Sequence, residues 1–371
     1  MLSIATTKRL IEDLIIEGLV VEAGINKSTR GRKASLLKLN SSYCCAIGVN
    51  IIPHAIELVE LSFTGDIIYQ KTIEGIDLDR DAIIPRVSSE IKRAIEMHRK
   101  RCSGKLLGIG IGVAGLINTS EGFVLYTPNM EGWDNVPLGP QLSDEFETDV
   151  IVDDTVRCMA LAEKRYGVAK DLDNFIYVYI GRGVGSGMVL DGRIYRGRHG
   201  VAGEVGHMTI QYDGNQCNCG NRGCLEAHVS VEPILKEAGR VNSNGKRSIM
   251  PDGAEKLNRD LINLKEILSA SENGDRLSGS IIDNAGEHIG TGIANLINIF
   301  DPGAIILGGE VVEAFEPILM DKIRSTAMMK AIKAISSRTS IVQGKVRGMS
   351  ASRGAATLLI EKYLQNSILN I

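Results

Sequence analysis

The chain has 371 residues, 44% of them hydrophobic and 23% charged, with a formal net charge of −3. That length implies roughly two to three domains, and the charge excludes a globally basic nucleic-acid binder while leaving room for a local basic patch. No apolar run approaches a membrane-spanning length, and the start, MLSIATTKRLIEDL, lacks a signal peptide's apolar core and cleavage site. The expected location is the cytoplasm, where thiols stay reduced and clustered cysteines read as metal ligands.

Residues 1–42 differ in character from the rest. Ser3 is placed to cap a helix through about Glu17, with Leu10, Ile11, Leu14 and Ile15 on one face and Gly18 at its end. Two short apolar runs, Leu19-Val20-Val21 and Leu36-Leu37 with Leu39, flank the polar loop GINKSTRGRK. A helix followed by a basic-tipped hairpin is the second half of a winged helix-turn-helix. In that reading Thr6, Thr7, Lys8 and Arg9 face a DNA groove, while Arg30, Arg32 and Lys33 reach phosphates or the minor groove from the wing. The alternative is a solvated helix and a charged loop. A three-helix head needs two more helices ahead of this one, so a partial head is expected, either truncated or beginning upstream.

Residues 43–153 read as a first α/β lobe. Cys45–Ile51 and Ala55–Leu61 are strand-like, and the Thr64-Gly65-Asp66 turn leads into Ile67-Ile68-Tyr69, an antiparallel meander. Ile83, Val87, Ile91 and Ile95 recur at four-residue spacing and predict a helix over 80–101. LLGIGIGVAG (106–115) is a buried strand whose glycines permit close backbone approach. TPNMEGWDNVPL (127–138) is a loop holding the only Trp, and Val150–Asp153 is a short strand.

Residues 154–371 read as a second α/β lobe. FIYVYI (175–180) is a strand, GRGVGSG (181–187) a glycine-rich turn, and GMVLDGRIY the next strand. The region 236–286 is polar, helical in parts and set apart as a candidate insertion. Glu287–Ile299 is a helix, DPGAIILGGE (301–310) a strand with a tight turn, and 354–363 a final helix expected to pack back on the first lobe. Strand, glycine turn and strand recur in both halves with helices between, which predicts two α/β lobes around a ligand-binding cleft.

GEVGHMTIQYDGNQCNCGNRGCLE (203–226) carries the most chemistry. His207, Cys217, Cys219 and Cys224 form a ligand set suited to zinc, which favours four tetrahedral nitrogen and sulfur ligands. Glycines at 214, 220 and 223 let so short a segment converge on one ion. Buried small hydrophobes are a poor alternative, because the stretch is polar and turn-rich. Cys44, Cys45, Cys102 and Cys158 are scattered and are expected to be inert.

GVAGLIN, TPNMEGW, IGRGVGSGMVLDGRIYRG, GVAGEVGH, CNCGNRGCLE and DPGAIILGGE, in that order, resemble the ROK family, named for repressors, open reading frames and kinases. The resemblance covers nearly all of residues 43–371. It implies two ribonuclease-H-like lobes of the actin or hexokinase type, a sugar beside a zinc ion, and homodimers or homotetramers. The family's repressor branch carries a winged-helix head, which LSIATTKRLIEDLIIEGLV with RGRK resembles. Operator DNA, a sugar or sugar-derivative effector and control of carbohydrate metabolism, xylose metabolism included, follow as expectations.

The family's other branch consists of sugar kinases, which carry an Asn-Asp pair before a helix containing Ala-Leu-Ala/Gly-Glu, the Asp being the general base. Anchored on Ala160-Leu161-Ala162-Glu163, the Asn position falls on Asp154 and the Asp position on Thr155. Threonine cannot take a sugar hydroxyl's proton near neutral pH, and losing a positioned base costs about 10²–10⁴ in rate. A one-residue slip would restore Asp154 as base at the cost of a deletion before the helix. Val49-Asn50-Ile51-Ile52-Pro53 stands where kinases cradle phosphate, with no Asp and no glycine pair, and Gly181-Arg182-Gly183 replaces Gly-Thr-Gly. No catalytic residue is therefore expected; ATP-dependent phosphorylation of a hexose or N-acetylhexosamine is the alternative. By resemblance, Glu204, His207 and Glu226 bind sugar hydroxyls, joined by Asn129 and Asp154, with His207 ligating zinc through its other ring nitrogen.

Overall fold

The computed structural model describes residues 3–25, 35–53, 55–76, 79–102, 104–128, 130–243, 263–316 and 318–368. Arg30, Arg32, Lys33 and Asn129 therefore lie outside the described residues. The chain divides into two compact units, 1–158 with 348–371, and 159–347.

The first unit opens with α1 (Ile4–Ile16), whose Ser3 side chain accepts from the Thr6 amide at 3.1 Å as a helix cap should. β1 (Val20–Ile25) and β2 (Ser35–Leu39) pair as an antiparallel ribbon. A five-stranded sheet follows, built from β3 (Cys44–Ile52), β4 (Ala55–Ser62), β5 (Ile67–Glu74), β6 (Lys105–Val113) and β9 (Val150–Asp154). Between its strands lie α2 (Arg80–Arg101), the small ribbon β7 (Leu116–Asn118) and β8 (Phe123–Tyr126), and α3 (Leu138–Phe146). α4 (Thr155–Tyr166) leaves the end of β9.

The sheet order is β5-β4-β3-β6-β9: an antiparallel meander with two parallel strands added beside its first member. Ile47, Val49, Ile109 and Ile111 are fully buried, with Trp133 closing the core above Val124 and Val136. The C-terminal helix lies against β3 and β6, and glycine makes that approach possible. A Cβ at Gly110 would stand 1.8 Å from the Ala355 carbonyl oxygen, and one at Gly48 would stand 1.9 Å from that of Ser352.

The second unit repeats the plan. β10 (Phe175–Ile180), β11 (Val184–Leu190) and β12 (Arg193–Tyr195) form the meander. After a 3-10 turn (Val205–His207) come α5 (Glu226–Val229), α6 (Val231–Ser243), α7 (Leu264–Glu272) and α8 (Arg276–Phe300). β13 (Ala304–Gly308), α9 (Glu310–Phe315), α10 (Ile318–Lys330), α11 (Lys333–Ser336) and β14 (Ser340–Gln343) complete the unit, and α12 (Ser350–Ile368) returns to the first. Its sheet order, β12-β11-β10-β13-β14, matches the first sheet position for position. The α/β class and the paired sheets expected from the sequence are both present.

Two sequence expectations need correction here. GMVLDGRIY is two strands, because Asp191 (φ 50°) and Gly192 (φ 75°) form a tight left-handed turn between β11 and β12. The helix expected over 287–299 begins much earlier, at Arg276, where the Asp275 side chain accepts from the Leu277 amide and caps it. No described helix is long and apolar enough to cross a membrane.

Candidate functional site

His207, Cys217, Cys219 and Cys224 converge, each pair of ligand atoms lying within 4.8 Å. The 3-10 turn presents His207. A short bridge between Thr209 and Cys224, and a second between Gln216 and Arg222, fold the cysteine stretch back onto it. Gly223 has φ 72°, and a Cβ there would meet the Gln211 carbonyl oxygen at 1.7 Å, so only glycine fits. The Cys217 amide donates to the Asn221 carbonyl at 2.8 Å, and the Gly220 amide to that of Cys217 at 3.0 Å.

The donor set and its spacing suit a tetrahedral ion. Zinc bonds of about 2.3 Å to sulfur and 2.0–2.1 Å to nitrogen require ligand–ligand edges of about 3.8 and 3.6 Å. The Cys219 and Cys224 sulfurs are 3.7 Å apart, and the Cys217 sulfur is 3.7 Å from His207 Nδ1. Burial, reinforced by the neighbouring thiols, pushes Cys224 up to about 12, whereas the Asn221 amide holds Cys219 below the usual thiol range. The four residues can hold a metal ion.

With Nδ1 turned to the sulfurs, His207 Nε2 faces away, 4.0 Å from a Glu204 carboxylate oxygen. That is too long for a direct hydrogen bond. It is the separation at which one hydroxyl oxygen, about 2.8 Å from each, can bridge them. Both side chains remain open to solvent, 36% and 50% exposed. Glu226 opens α5 two residues after Cys224, and its carboxylate accepts from the Val184 amide at 2.9 Å. The glycine-rich turn is thereby fastened to the knot.

Asp154 and Thr155 belong to the first unit, at the junction of β9 and α4. One Asp154 carboxylate oxygen accepts from the Val156 and Arg157 amides at 2.8 and 3.0 Å, which caps α4. Thr155 is buried, and its hydroxyl donates to the Asn50 side-chain oxygen at 3.0 Å. Asn50 in turn donates to Glu57 at 3.1 Å. Each unit also holds a buried carboxylate to which the sequence assigned no site role. Asp153, fully buried, accepts from Arg157 Nε at 2.6 Å and from the Thr119 hydroxyl at 3.0 Å. Glu163, within the second unit, accepts from the Val168 and Val346 amides at 2.9 and 2.7 Å.

Thr6, Thr7, Lys8 and Arg9 occupy the exposed first turns of α1. The Thr7 hydroxyl donates to the Ser3 carbonyl at 3.0 Å, and Lys8 lies 3.5 Å from Glu12.

Known proteins are similar to this chain over most of its length. A xylose repressor from Caldicellulosiruptor bescii is 31% identical over 361 residues, spanning 97% of this chain and 89% of that one. The crystal structure of a ROK family transcriptional regulator, a homologue of the Escherichia coli Mlc protein, superposes with a TM-score of 0.82 at 28% identity, covering 97% and 89% of the two chains. A ROK family glucokinase from Streptomyces griseus, in complex with glucose and AMPPNP, gives 0.71 at 26% identity, over 85% and 98%. The ROK family model itself matches residues 47–362, which takes in both sheets and the cysteine knot. The chain belongs to the ROK family.

Proposed function

We propose that the protein is a cytoplasmic, sugar-responsive transcriptional repressor that binds operator DNA as a homodimer or homotetramer and does not phosphorylate its sugar. One zinc ion sits in the His207, Cys217, Cys219 and Cys224 knot. Its role is to hold the His207 ring, with Glu204 and Glu226 beside it, as a reader of sugar hydroxyls. The observation that carries this reading is the 4.0 Å gap between His207 Nε2 and Glu204. With Nδ1 committed to the ion, Nε2 carries the proton; it can donate to a sugar oxygen whose own hydrogen goes to the carboxylate. Asp154 and Asn129 are further contacts in this proposal, and Thr6, Thr7, Lys8, Arg9, Arg30, Arg32 and Lys33 contact DNA.

Kinship with a xylose repressor along nearly its whole length supports the regulatory role. Thr155 supports the loss of phosphoryl transfer: its hydroxyl is a donor to Asn50, and in the register anchored on Ala160-Leu161-Ala162-Glu163 it falls at the position of the kinases' general base. The sugar shifts DNA affinity only insofar as it binds the DNA-competent and DNA-incompetent states unequally.

Thermal-shift screening of pentoses, hexoses and N-acetyl sugars on the zinc-loaded protein tests the effector site. One sugar class should raise the melting temperature without ATP. Robust ADP release with any of these sugars, abolished in Asp154→Asn, would favour the kinase reading instead.

A further inference from the structure

A second group of ligating side chains lies in the first unit, remote in sequence from the cysteine knot. Cys45 on β3, Glu60 on β4 and His98 on α2 bring a sulfur, a carboxylate oxygen and a ring nitrogen within 4.8 Å of one another. All three are buried, at 2%, 1% and 5% exposure. The strand register explains the meeting. Glu60 pairs with Ile47, and Cys45 lies two residues along β3 on the same face, beneath the last turn of α2. Cys102 caps the C-terminal end of α2, four residues after His98, and brings a further thiol to the same end of the helix.

The hydrogen bonding of His98 gives the group its direction. Nε2 is 3.1 Å from the Gly104 carbonyl oxygen, which can only accept, so Nε2 carries a proton. Nδ1 then faces Glu60 Oε1 at 2.7 Å and the Cys45 sulfur at 3.3 Å. In a neutral ring Nδ1 is a bare lone pair, and a carboxylate is also acceptor-only. Two acceptors at 2.7 Å require a positive charge between them, and the buried carboxylate requires one as well. Either a proton or a metal ion meets that demand. A histidine whose far nitrogen donates to a backbone carbonyl is the usual arrangement behind a metal ligand.

We propose that Cys45, Glu60 and His98, with Cys102 turning in from the helix end as fourth ligand, form a second metal site, for zinc or a zinc-like divalent cation, which pins the end of α2 to β3 and β4. Thiolate, imidazole and carboxylate together suit a borderline cation, whereas calcium and magnesium prefer all-oxygen sets. The His-x3-Cys spacing on the helix end is compatible with ligands converging on one ion. Tetrahedral coordination needs a nitrogen–oxygen edge of about 3.4 Å and a sulfur–nitrogen edge of about 3.6 Å. Admitting the ion therefore widens the nitrogen–oxygen gap by about 0.7 Å and the sulfur–nitrogen gap by about 0.3 Å, shifts within reach of Glu60 and Cys45 rotation.

Metal counting on the full-length protein, loaded with zinc and freed of excess by gel filtration, tests this. The wild type should carry two equivalents. Cys45→Ser and Cys102→Ser should each remove one, and Cys219→Ser in the knot should leave this site's equivalent in place. Cys102→Ser, at the partly exposed helix end, carries the same reading should Cys45→Ser disturb the sheet. A count that neither substitution changes overturns the proposal and leaves the group a hydrogen-bonded staple. Because the knot is probed by its own substitution, failure here is distinguishable from failure of the zinc knot.

Discussion

Glu226 accepts a hydrogen bond from the Val184 amide at 2.9 Å, so a residue two places beyond the last cysteine of the knot also fixes the glycine-rich turn. A Cβ at Gly183 would sit 3.1 Å from the same carboxylate, which leaves little room for any other residue there. Knot, turn and candidate sugar contact thus form one rigid piece of the second unit. Glu226→Gln keeps an oxygen for the Val184 amide but removes the charge. Hydrogen bonds to charged groups contribute about 1.5–3 kcal/mol, so sugar affinity should fall by tenfold or more. Calorimetric titration should find that loss with zinc content unchanged; equal affinity would remove Glu226 from the sugar site.

Thr155 supplies the second prediction. Its buried hydroxyl satisfies Asn50, so Thr155→Ala should cost about 1 kcal/mol in urea denaturation through the lost bond. The wild type should release no ADP above background with any sugar it binds. A turnover within tenfold of an ordinary kinase's, about 1–100 s⁻¹, would contradict the assignment of Thr155 to the base position.

Metal removal should act on both stability and sensing. A ligand that binds only the folded form stabilises it by about 4 kcal/mol at a thousand times its dissociation constant. Chelation should therefore lower the melting temperature, expose the 214–223 stretch to protease and abolish sugar binding together. Sugar binding that survives complete zinc removal would separate the knot from the effector site.

His228 and His288 stack, with ring centroids 4.5 Å apart. Burial first, and His228 second, lower His288 from 6.5 to about 4; Glu287 opposes this shift and Lys330 adds to it. Burial also lowers His228. Between these values the unfolded chain binds a proton at His288 that the folded one does not. Stability should accordingly fall as pH drops from about 6.5 towards 4, by on the order of 1–3 kcal/mol. His288→Phe keeps a stacked ring that cannot titrate, and should flatten the urea-midpoint profile across that window. An unaltered slope would assign the acid sensitivity elsewhere.

Much of this architecture was legible in the residues. The four-residue spacing of Ile83, Val87, Ile91 and Ile95 located α2 to its terminal residues, and FIYVYI located β10. The knot was legible because its cysteines sit in a polar, glycine-rich stretch where burial alone could not explain them. The Asp191-Gly192 turn was hidden inside a run of strand formers, although Asp-Gly is itself a hairpin signal. The start of α8 was missed because Ser278 and Gly279 look like loop residues. Tertiary contact overrides that propensity by burying Ser278 and giving its hydroxyl Asp275. Cys45 seemed scattered because its neighbours, Glu60 and His98, arrive from an adjacent strand and from a helix more than fifty residues on. The β3–β4 register puts Cys45 and Glu60 on one face, a pairing that spacing along the chain does not reveal.

Repression by a sugar-sensing protein is read most plainly from the affinity of the full-length protein for genomic DNA fragments, measured with and without a sugar that raises its melting temperature. Adding that sugar, without ATP, should lower DNA affinity at least tenfold, with no such loss in Glu226→Gln at the same concentration. DNA affinity that no bound sugar alters would contradict the sugar-sensing role.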